Sequence, residues 1–376
     1  VNILILFSQP WKVGGAETHV TDLIKGLTAK EHKVYLAVHG EKSVKMDTLV
    51  TEQWSFNFRS ANPFQYIIAA RQLVRLIKER HIDVVHCHQR TAGYIASYLK
   101  SVIGIPFVVT IHDPWNRALF KKFYGRIFGH IVTVSEFLRQ RFITDFGFQP
   151  DKVHTIYNGA DSERYNLSKY SKDQLTKLRE GLDIKPNEKV VSLIARLYES
   201  KGQQYLIAAA KAVVEKCPNV KFLLVGNGEH EEKFRRQVSE NGIEDIIIFT
   251  GYREDIPELI AISDIVVRPS DMEGFPINML EAMLMRKPVI ATAIAGVPEM
   301  ITHGENGFMI EPGDVDGLAK YITTILLDEE LGTKLGNAGE QIVLEKFTLK
   351  SLINKVEKIY TSVVENRYVA ENMKKH

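Results

Sequence analysis

A rhythm of short apolar runs alternating with amphipathic segments, begun twice, constrains this chain more than any other feature. In the first pass, strand-like runs fall at Asn2–Phe7, Lys33–Val38, Asp83–His86, Phe107–Ile111, Ile131–Val134 and Val153–Ile156. Helix-like runs lie between them, at Glu17–Lys30, Phe64–His81, Thr91–Val102, Ala118–Phe128 and Glu136–Phe146. After a polar stretch from Ser162 to Glu188 the rhythm restarts, with strands expected at Val190–Ile194, Lys221–Val225, Ile246–Thr250, Ile265–Arg268, Val289–Ala291 and Gly307–Ile310. Helices are expected at Gln203–Lys216, His230–Asn241, Ile256–Ala261, Ile277–Met285 and Val315–Leu327. Strands separated by helices predict parallel sheets covered on both faces. Two passes in 376 residues predict two Rossmann-like, doubly wound α/β domains, 1–165 and 166–359. Tandem domains of this kind place a ligand in the cleft against the C-terminal strand ends. The tail reads as a further helix, Leu349 to Val364, and a C-terminal helix over about 360–376 is expected to pack back on the first domain.

Composition narrows the class. Apolar residues make up 45% and charged residues 25%, the balance of a folded globular chain. No apolar stretch approaches the ~20 residues that span a bilayer, and the opening run Val1–Phe7 lacks the marks of a signal peptide. Cys87 and Cys217 match no zinc or redox spacing, so a reducing, cytoplasmic location is the default. Charge is uneven. Residues 1–165 hold 21 Lys+Arg against 14 Asp+Glu, or +7, and residues 166–376 hold 27 against 32, or −5. The basic half suits an anionic partner, and peripheral contact with the inner face of a plasma membrane is consistent with it. Ordinary surface charge explains it equally well, and no nucleic-acid partner is expected. Arg117 to Phe128, RALFKKFYGRIF, has the make-up of a membrane-surface helix. A domain helix packing its apolar face on the sheet is the preferred reading.

Several clusters have chemistry. Gly14 and Gly15 follow the first strand and open a helix, where a phosphate could approach the backbone; a plain turn fits equally. Gly226, in VGNGE, lies in a second glycine turn that a structural role explains better. Arg196 and Lys201, in ARLYESKG, can clamp a diphosphate with a fork of donors and a point charge. The segment DMEGFPINMLEAM carries most weight. Gly274 and Pro276 mark a loop, and the following helix start offers free amides to a phosphate. Glu273 could accept hydrogen bonds from sugar hydroxyls, and Glu281 could take the two hydroxyls of a ribose, unless it lies on an exposed face. His112 ends a strand and would face the cleft, unless it is structural. His86 and His88 share one strand face, but a metal site lacks an evident third ligand, and none is expected. Asn158–Asp161 reads as a polar turn.

Together these motifs resemble the retaining glycosyltransferases of family 4, which have the GT-B fold. The matching elements run in order through almost the whole chain: GGAE, TIHD, VSE, YNGAD, ARLYESKG, VGNGE, TGYRED, SDIVVRPSDMEGFPINMLEAM, AGVPE and ENGF. The resemblance implies a hexosyl-type transfer from a nucleotide diphosphate sugar, with uridine the commonest base in the family, and no cofactor. It implies that Arg196 and Lys201 bind the donor diphosphate. Glu273 would contact the transferred sugar, helped by the backbone of Gly274, Phe275 and Pro276. The backbone of Asn278 and Met279 would meet the phosphates, and Glu281 would hold the ribose. Gly14 and Gly15 would approach the diphosphate from the other domain, with Gly226 bordering the donor. His112 would face the sugar near the reacting carbon, and the backbone near Arg253 would border the base. Pro276 and Ala295 depart from the pattern, since many relatives have glycine at each; Pro276 removes an amide donor. The acceptor is open, from a small metabolite to a phosphorylated or lipid-linked sugar or a cell-surface polysaccharide. A sugar-nucleotide epimerase of similar fold and a non-catalytic partner subunit are the alternatives. A dehydrogenase is disfavoured by the missing dinucleotide fingerprint.

Overall fold

The computed structural model describes residues 1–9, 14–58, 63–114 and 128–373. It divides into two compact units, Val1–Asn158 with Leu349–His376, and Gly159–Thr348. The division therefore falls at 158/159 and 348/349, rather than at 165/166 and 359/360. Most of the basic segment Arg117–Phe128 lies outside the described residues, as do Pro10 to Val13.

The first unit is built on seven strands: β1 (Asn2–Phe7), β2 (Lys33–His39), β3 (Glu52–Phe56), β4 (Val84–Cys87), β5 (Phe107–Ile111), β6 (His130–Thr133) and β7 (Val153–Thr155). Their order is β3-β2-β1-β4-β5-β6-β7, and every pairing is parallel. Side chains alternate across the sheet, so β1 feeds two cores. Leu4 and Leu6 pack with Ala92, Ile95 and Leu99 of the helix Arg90–Ile103. Ile3, Ile5 and Phe7 pack on the other face with Leu23, Ile24 and Leu27 of the helix Gly15–Ala29. That second core is completed by the tail helix Leu349–Met373, through Leu352, Ile353, Val356, Tyr360 and Val363. A Cβ at Gly26 would lie 2.5 Å from Ile353 Cγ1, so the glycine lets the two helices approach. The tail thus belongs to the first unit from Leu349 onward. Strand β3 escapes pattern reading because EQWSF mixes polar and apolar residues at an edge position.

The second unit has six parallel strands: β8 (Lys189–Ile194), β9 (Val220–Val225), β10 (Ile247–Gly251), β11 (Ile265–Arg268), β12 (Val289–Thr292) and β13 (Phe308–Ile310). Their order is β10-β9-β8-β11-β12-β13. The polar stretch between the two passes contains the helix Lys172–Glu180, closed by a reciprocal capping box of Ser171 and Gln174. A long helix not anticipated from the pattern, Glu329–Lys346, carries glycines on its buried face; at Gly336 a Cβ would meet the Arg286 carbonyl oxygen at 2.0 Å.

In each sheet the order reverses beside one strand pair, β1/β4 in the first unit and β8/β11 in the second. A doubly wound sheet binds ligands at such a point, beyond the carboxyl ends of the strands, because the flanking connections diverge there and leave a crevice. Among the described residues no helix is long and apolar enough to cross a membrane.

Gly202 locks one side of the β8/β11 crevice. It has φ +83°, and a Cβ would meet the Pro269 carbonyl oxygen at 1.9 Å. Gly202→Ala should lower stability by roughly 2–5 kcal/mol, ~1–2 from the backbone conformation and ~1–3 from overpacking. An unchanged thermal unfolding midpoint would show that the approach is not tight.

Candidate active site

The second unit gathers most of the expected site residues beyond β8 and β11. Arg196 follows β8 on an exposed loop, its guanidinium 5.4 Å from the Tyr198 ring centroid. Lys201 closes the short 3-10 turn Glu199–Lys201, and Gly202 caps it in the left-handed region. This turn is tied to the loop after β11. The Asp271 amide donates to the Ser200 carbonyl at 3.1 Å, and Tyr205 Oη donates to Asp271 Oδ1 at 3.0 Å.

Glu273 sits in that loop, 6% exposed. Its Oε1 accepts from Lys201 Nζ at 3.0 Å and from Arg268 Nε at 2.7 Å. Burial alone would raise the carboxyl pKa; the charges of Arg268 and then Lys201 overcome it and hold Glu273 below the usual carboxylate range. The group is therefore an anion at neutral pH, with its second oxygen left over from these two ion pairs. Arg268, the last residue of β11, had no place in the sequence reading. An arginine ending an apolar strand was the available signal, since its charge has to find a partner once buried.

The helix Ile277–Leu284 follows, with Pro276 at its cap. Its first-turn amides have no carbonyl one turn back within the helix, which makes this end an anion site. Asn278 Nδ2 donates to the Ile194 carbonyl at 2.8 Å, which ties this side chain to the end of β8. The Met279 amide is already engaged, donating to the Pro276 carbonyl at 3.3 Å. That contact competes with the phosphate role expected of it. Phe275 points its ring into the core, 5.3 Å from the Phe347 ring centroid, which leaves its backbone. The Gly274 carbonyl accepts from the Gly296 amide at 3.1 Å. Ala295, where a glycine would be expected, has φ +48°, so the backbone asks for glycine here although the chain carries alanine. Glu281 is 7% exposed, which excludes the exposed-face reading.

Gly226 has φ +134°, and a Cβ would meet the Ala195 carbonyl oxygen at 2.1 Å. Backbone packing alone accounts for this glycine. The Arg253 side chain forms a two-pronged ion pair with Asp255, at 2.7 and 2.5 Å, leaving its backbone for any ligand role.

The first unit holds Gly14, Gly15 and His112. Among the described residues a Cβ at Gly15 would meet nothing within 4 Å. His112 follows β5 and belongs to a cluster not seen in the sequence. His19, on the helix Gly15–Ala29, and His88, after β4, come close to it, and one ring nitrogen from each lies within 4.8 Å of the others. The third group missing from the sequence reading therefore exists, and it includes neither Cys87 nor His86. Its geometry is that of a hydrogen-bond network: His88 Nδ1 and His112 Nε2 are 3.3 Å apart, and their ring centroids 5.5 Å. The two nitrogens thus point head to head along the line between the rings, whereas ligands of one ion converge on a shared point. His19 Nδ1 bonds Asn158 Oδ1 at 2.9 Å, so the expected turn at Asn158 also anchors this histidine. Among the described residues the buried Nε2 atoms of His19 and His88 have no partner. A bare lone pair costs less there than a stranded N–H, which places the proton of each ring on Nδ1. His86, buried beneath, bonds Tyr360 Oη at 2.5 Å and Thr110 Oγ1 at 2.7 Å. Burial and then the neighbouring imidazoles push His86 and His112 down to about 3, and His19 and His88 well below the ordinary histidine value. All four are neutral at pH 7.

The family model Glycosyltransferase Family 4 matches residues 13–164, and Glycosyl transferases group 1 matches residues 175–342. The chain belongs to the group 1, family 4 glycosyltransferases. It is 29% identical to the N-acetyl-alpha-D-glucosaminyl L-malate synthase of Bacillus anthracis, over 94% of this chain and 95% of that protein. It is 28% identical to an Escherichia coli UDP-Gal:alpha-D-GlcNAc-diphosphoundecaprenol alpha-1,3-galactosyltransferase, over 78% and 79% of the two chains. Among solved structures it is similar to a glycosyltransferase from Rickettsia africae ESF-5, with TM-score 0.87, 25% identity and coverage of 97% and 99%. It is also similar to Anabaena Alr3699/HepE in complex with UDP-glucose, with TM-score 0.83, 26% identity and coverage of 96% and 99%. The family 4 chain is accordingly a GT-B glycosyltransferase that uses nucleotide sugars.

Proposed function

We propose that this glycosyltransferase takes its sugar from a UDP-sugar and transfers it with retention to an anionic acceptor, in the synthesis of a glycoconjugate or cell-surface polysaccharide. One observation carries the donor reading: beyond β8 and β11 a buried carboxylate, Glu273, lies beside Lys201 and a helix start with open amides. Departure of the nucleoside diphosphate develops negative charge on its terminal phosphate. Lys201, Arg196 and the amides at Ile277 and Asn278 stabilise that charge, already oriented before the reaction begins. Glu273 accepts from sugar hydroxyls and Glu281 from the ribose. His112, in the first unit, is neutral and has an N–H on Nδ1 to donate. The acceptor attacks from the face the diphosphate leaves, and the departing phosphate takes its proton. No cofactor takes part in this scheme.

Uridine is favoured by the UDP and UDP-glucose complexes of the Anabaena protein and by the name of the Escherichia coli relative. An anionic acceptor is favoured by the +7 balance of residues 1–165 and by two relatives whose names specify malate and a lipid diphosphate. The test is a thermal-shift series with UDP, GDP and ADP at 1 mM, since a ligand that binds the folded state stabilises it by ~4 kcal/mol at about a thousand times its Kd. UDP should raise the midpoint most. A larger shift with GDP or ADP would overturn the uridine reading, and silence from all three would overturn the donor site. The configuration of the product, read by the anomeric proton coupling, tests retention.

A further inference from the structure

We propose that His88 is a positioning residue for the transfer: it donates its Nδ1–H to His112 Nε2 and so keeps the one proton of His112 on Nδ1. The inference rests on the role of His112 as an N–H donor proposed above.

The pleat of two neighbouring strands places the rings. β4 and β5 run parallel, with Cys87 registered against Val109. Residues two apart share a face of a sheet, so His86 and His88 leave one side of β4, and Thr110 and His112 one side of β5. Two successive side-chain pairs result. His86 Nε2 bonds Thr110 Oγ1 at 2.7 Å, and one step further His88 Nδ1 lies 3.3 Å from His112 Nε2. His86 is pinned at its other nitrogen by Tyr360, and its ring lies against that of His88, with centroids 4.2 Å apart. The His88 amide donates to the Leu6 carbonyl at 3.2 Å. His88 is therefore held at backbone and ring, and it is 1% exposed.

One proton lies between the two facing nitrogens, and the surroundings decide which ring owns it. If it belonged to His112, His88 would carry its own proton on Nε2. That atom is buried and has no partner among the described residues. A stranded N–H loses its hydration outright, whereas an unused lone pair loses less. The shared proton is thus that of His88. His19 does not compete for the task, because its Nδ1 proton goes to Asn158 Oδ1 at 2.9 Å. The rings are neutral, so each has a single proton to place. The bond made by one imidazole nitrogen sets the state of the other. With Nε2 accepting from His88, His112 offers its N–H from Nδ1. The opposite tautomer would present a lone pair to a sugar oxygen that needs a donor.

The test reads the tautomer directly, by long-range nitrogen–proton correlation NMR on isotope-labelled histidine at pH 7.5, in wild type, His88→Leu and His88→Asn. His112→Leu identifies the His112 signals. UDP, UDP-glucose, UDP-galactose and UDP-N-acetylglucosamine are titrated calorimetrically into each, and the tightest sugar nucleotide is used throughout. Wild type should show His112 protonated on Nδ1 and bare on Nε2. His88→Leu should move that proton to Nε2, the form a free histidine side chain prefers. It should weaken sugar-nucleotide binding about tenfold, the loss of one hydrogen bond, and leave UDP binding within about twofold. His88→Asn should keep the Nδ1–H form and recover most of the affinity, since the same penalty on a stranded N–H turns its amide toward His112. The Nε2–H form in wild type, or the Nδ1–H form retained in His88→Leu, overturns the proposal. A loss of affinity that His88→Asn does not recover marks a merely structural histidine and overturns it too. If His88→Leu does not fold, wild type and His88→Asn carry the test, and the Nε2–H form in either one overturns the proposal. If His112→Leu weakens sugar-nucleotide binding and His88→Leu does not, this inference falls and the role of His112 stands. If His112→Leu leaves the affinity unchanged, that role falls and this inference with it.

Discussion

Lys201→Ala should reduce kcat/KM by about 10²–10³, the usual loss when one oriented donor to a developing oxyanion is removed. The loss should appear in binding of the nucleotide sugar and in kcat together, since the lysine meets the diphosphate before departure and more strongly during it. Stability should fall much less than activity. Glu273 keeps Arg268 at 2.7 Å when Lys201 is gone, so no buried charge is left unpaired. Arg196→Ala makes the cleaner partner variant. Arg196 is exposed and its nearest ring contact is 5.4 Å to Tyr198, so its removal should change stability by less than ~0.5 kcal/mol. Its effect on turnover should nevertheless be well above the scatter, because a guanidinium fork grips phosphate with two bonds. Full activity in both variants would remove the phosphate clamp from the scheme.

Mild acid should unfold the first unit preferentially. His19, His86, His88 and His112 are neutral in the folded chain, with His86 and His112 pushed down to about 3. In the unfolded chain each takes a proton near pH 6.5. Because the folded values are depressed, the stabilising contribution is complete above pH 6.5 and is lost as pH falls from there toward 3. The slope is ~1.4 kcal/mol per pH unit for each histidine. Four of them give a loss of ~5 kcal/mol by about pH 5.5, comparable with the whole stability of many domains. The three tryptophans all fall in sequence within Val1–Asn158, and Trp54 is buried in the first unit. Tryptophan fluorescence in urea titrations at pH 7.5 and pH 5.5 therefore isolates it. A midpoint that does not move between the two would show that these imidazoles are not buried as neutral groups.

The two βα passes were legible because period-two apolar runs and period-3.6 stripes are local facts, and burial on both sheet faces enforces them. The donor loop was legible for a related reason: glycine, proline and charged residues interrupt an apolar pattern there, and interruptions have few structural explanations. Glu273 and Glu281 could be named from that interruption and Lys201 from the paired cations of ARLYESKG, and the family motifs supplied their expected roles. Glycines were harder. Gly226 and Gly202 look alike in sequence, as does Gly15. Only the neighbouring backbone shows that the first two make room for Ala195 and Pro269, while Gly15 makes room for none of the described residues.

The amino-acid sequence by itself determined the two α/β units, the parallel sheets and the position of Glu273 to Met283 at a helix start, since each of these follows from short-range pattern and backbone chemistry. What only the tertiary structure decided is which distant groups share a charge or a proton. Arg268 reaches Glu273 because strand β11 ends beneath the loop. His19 meets His88 and His112 because β4 and β5 end beside the start of the helix Gly15–Ala29, and Tyr360 reaches His86 across 274 residues because the tail helix returns to the first sheet. Such pairs leave no local signature. A buried charge or imidazole states that it needs a partner, and packing alone selects which one.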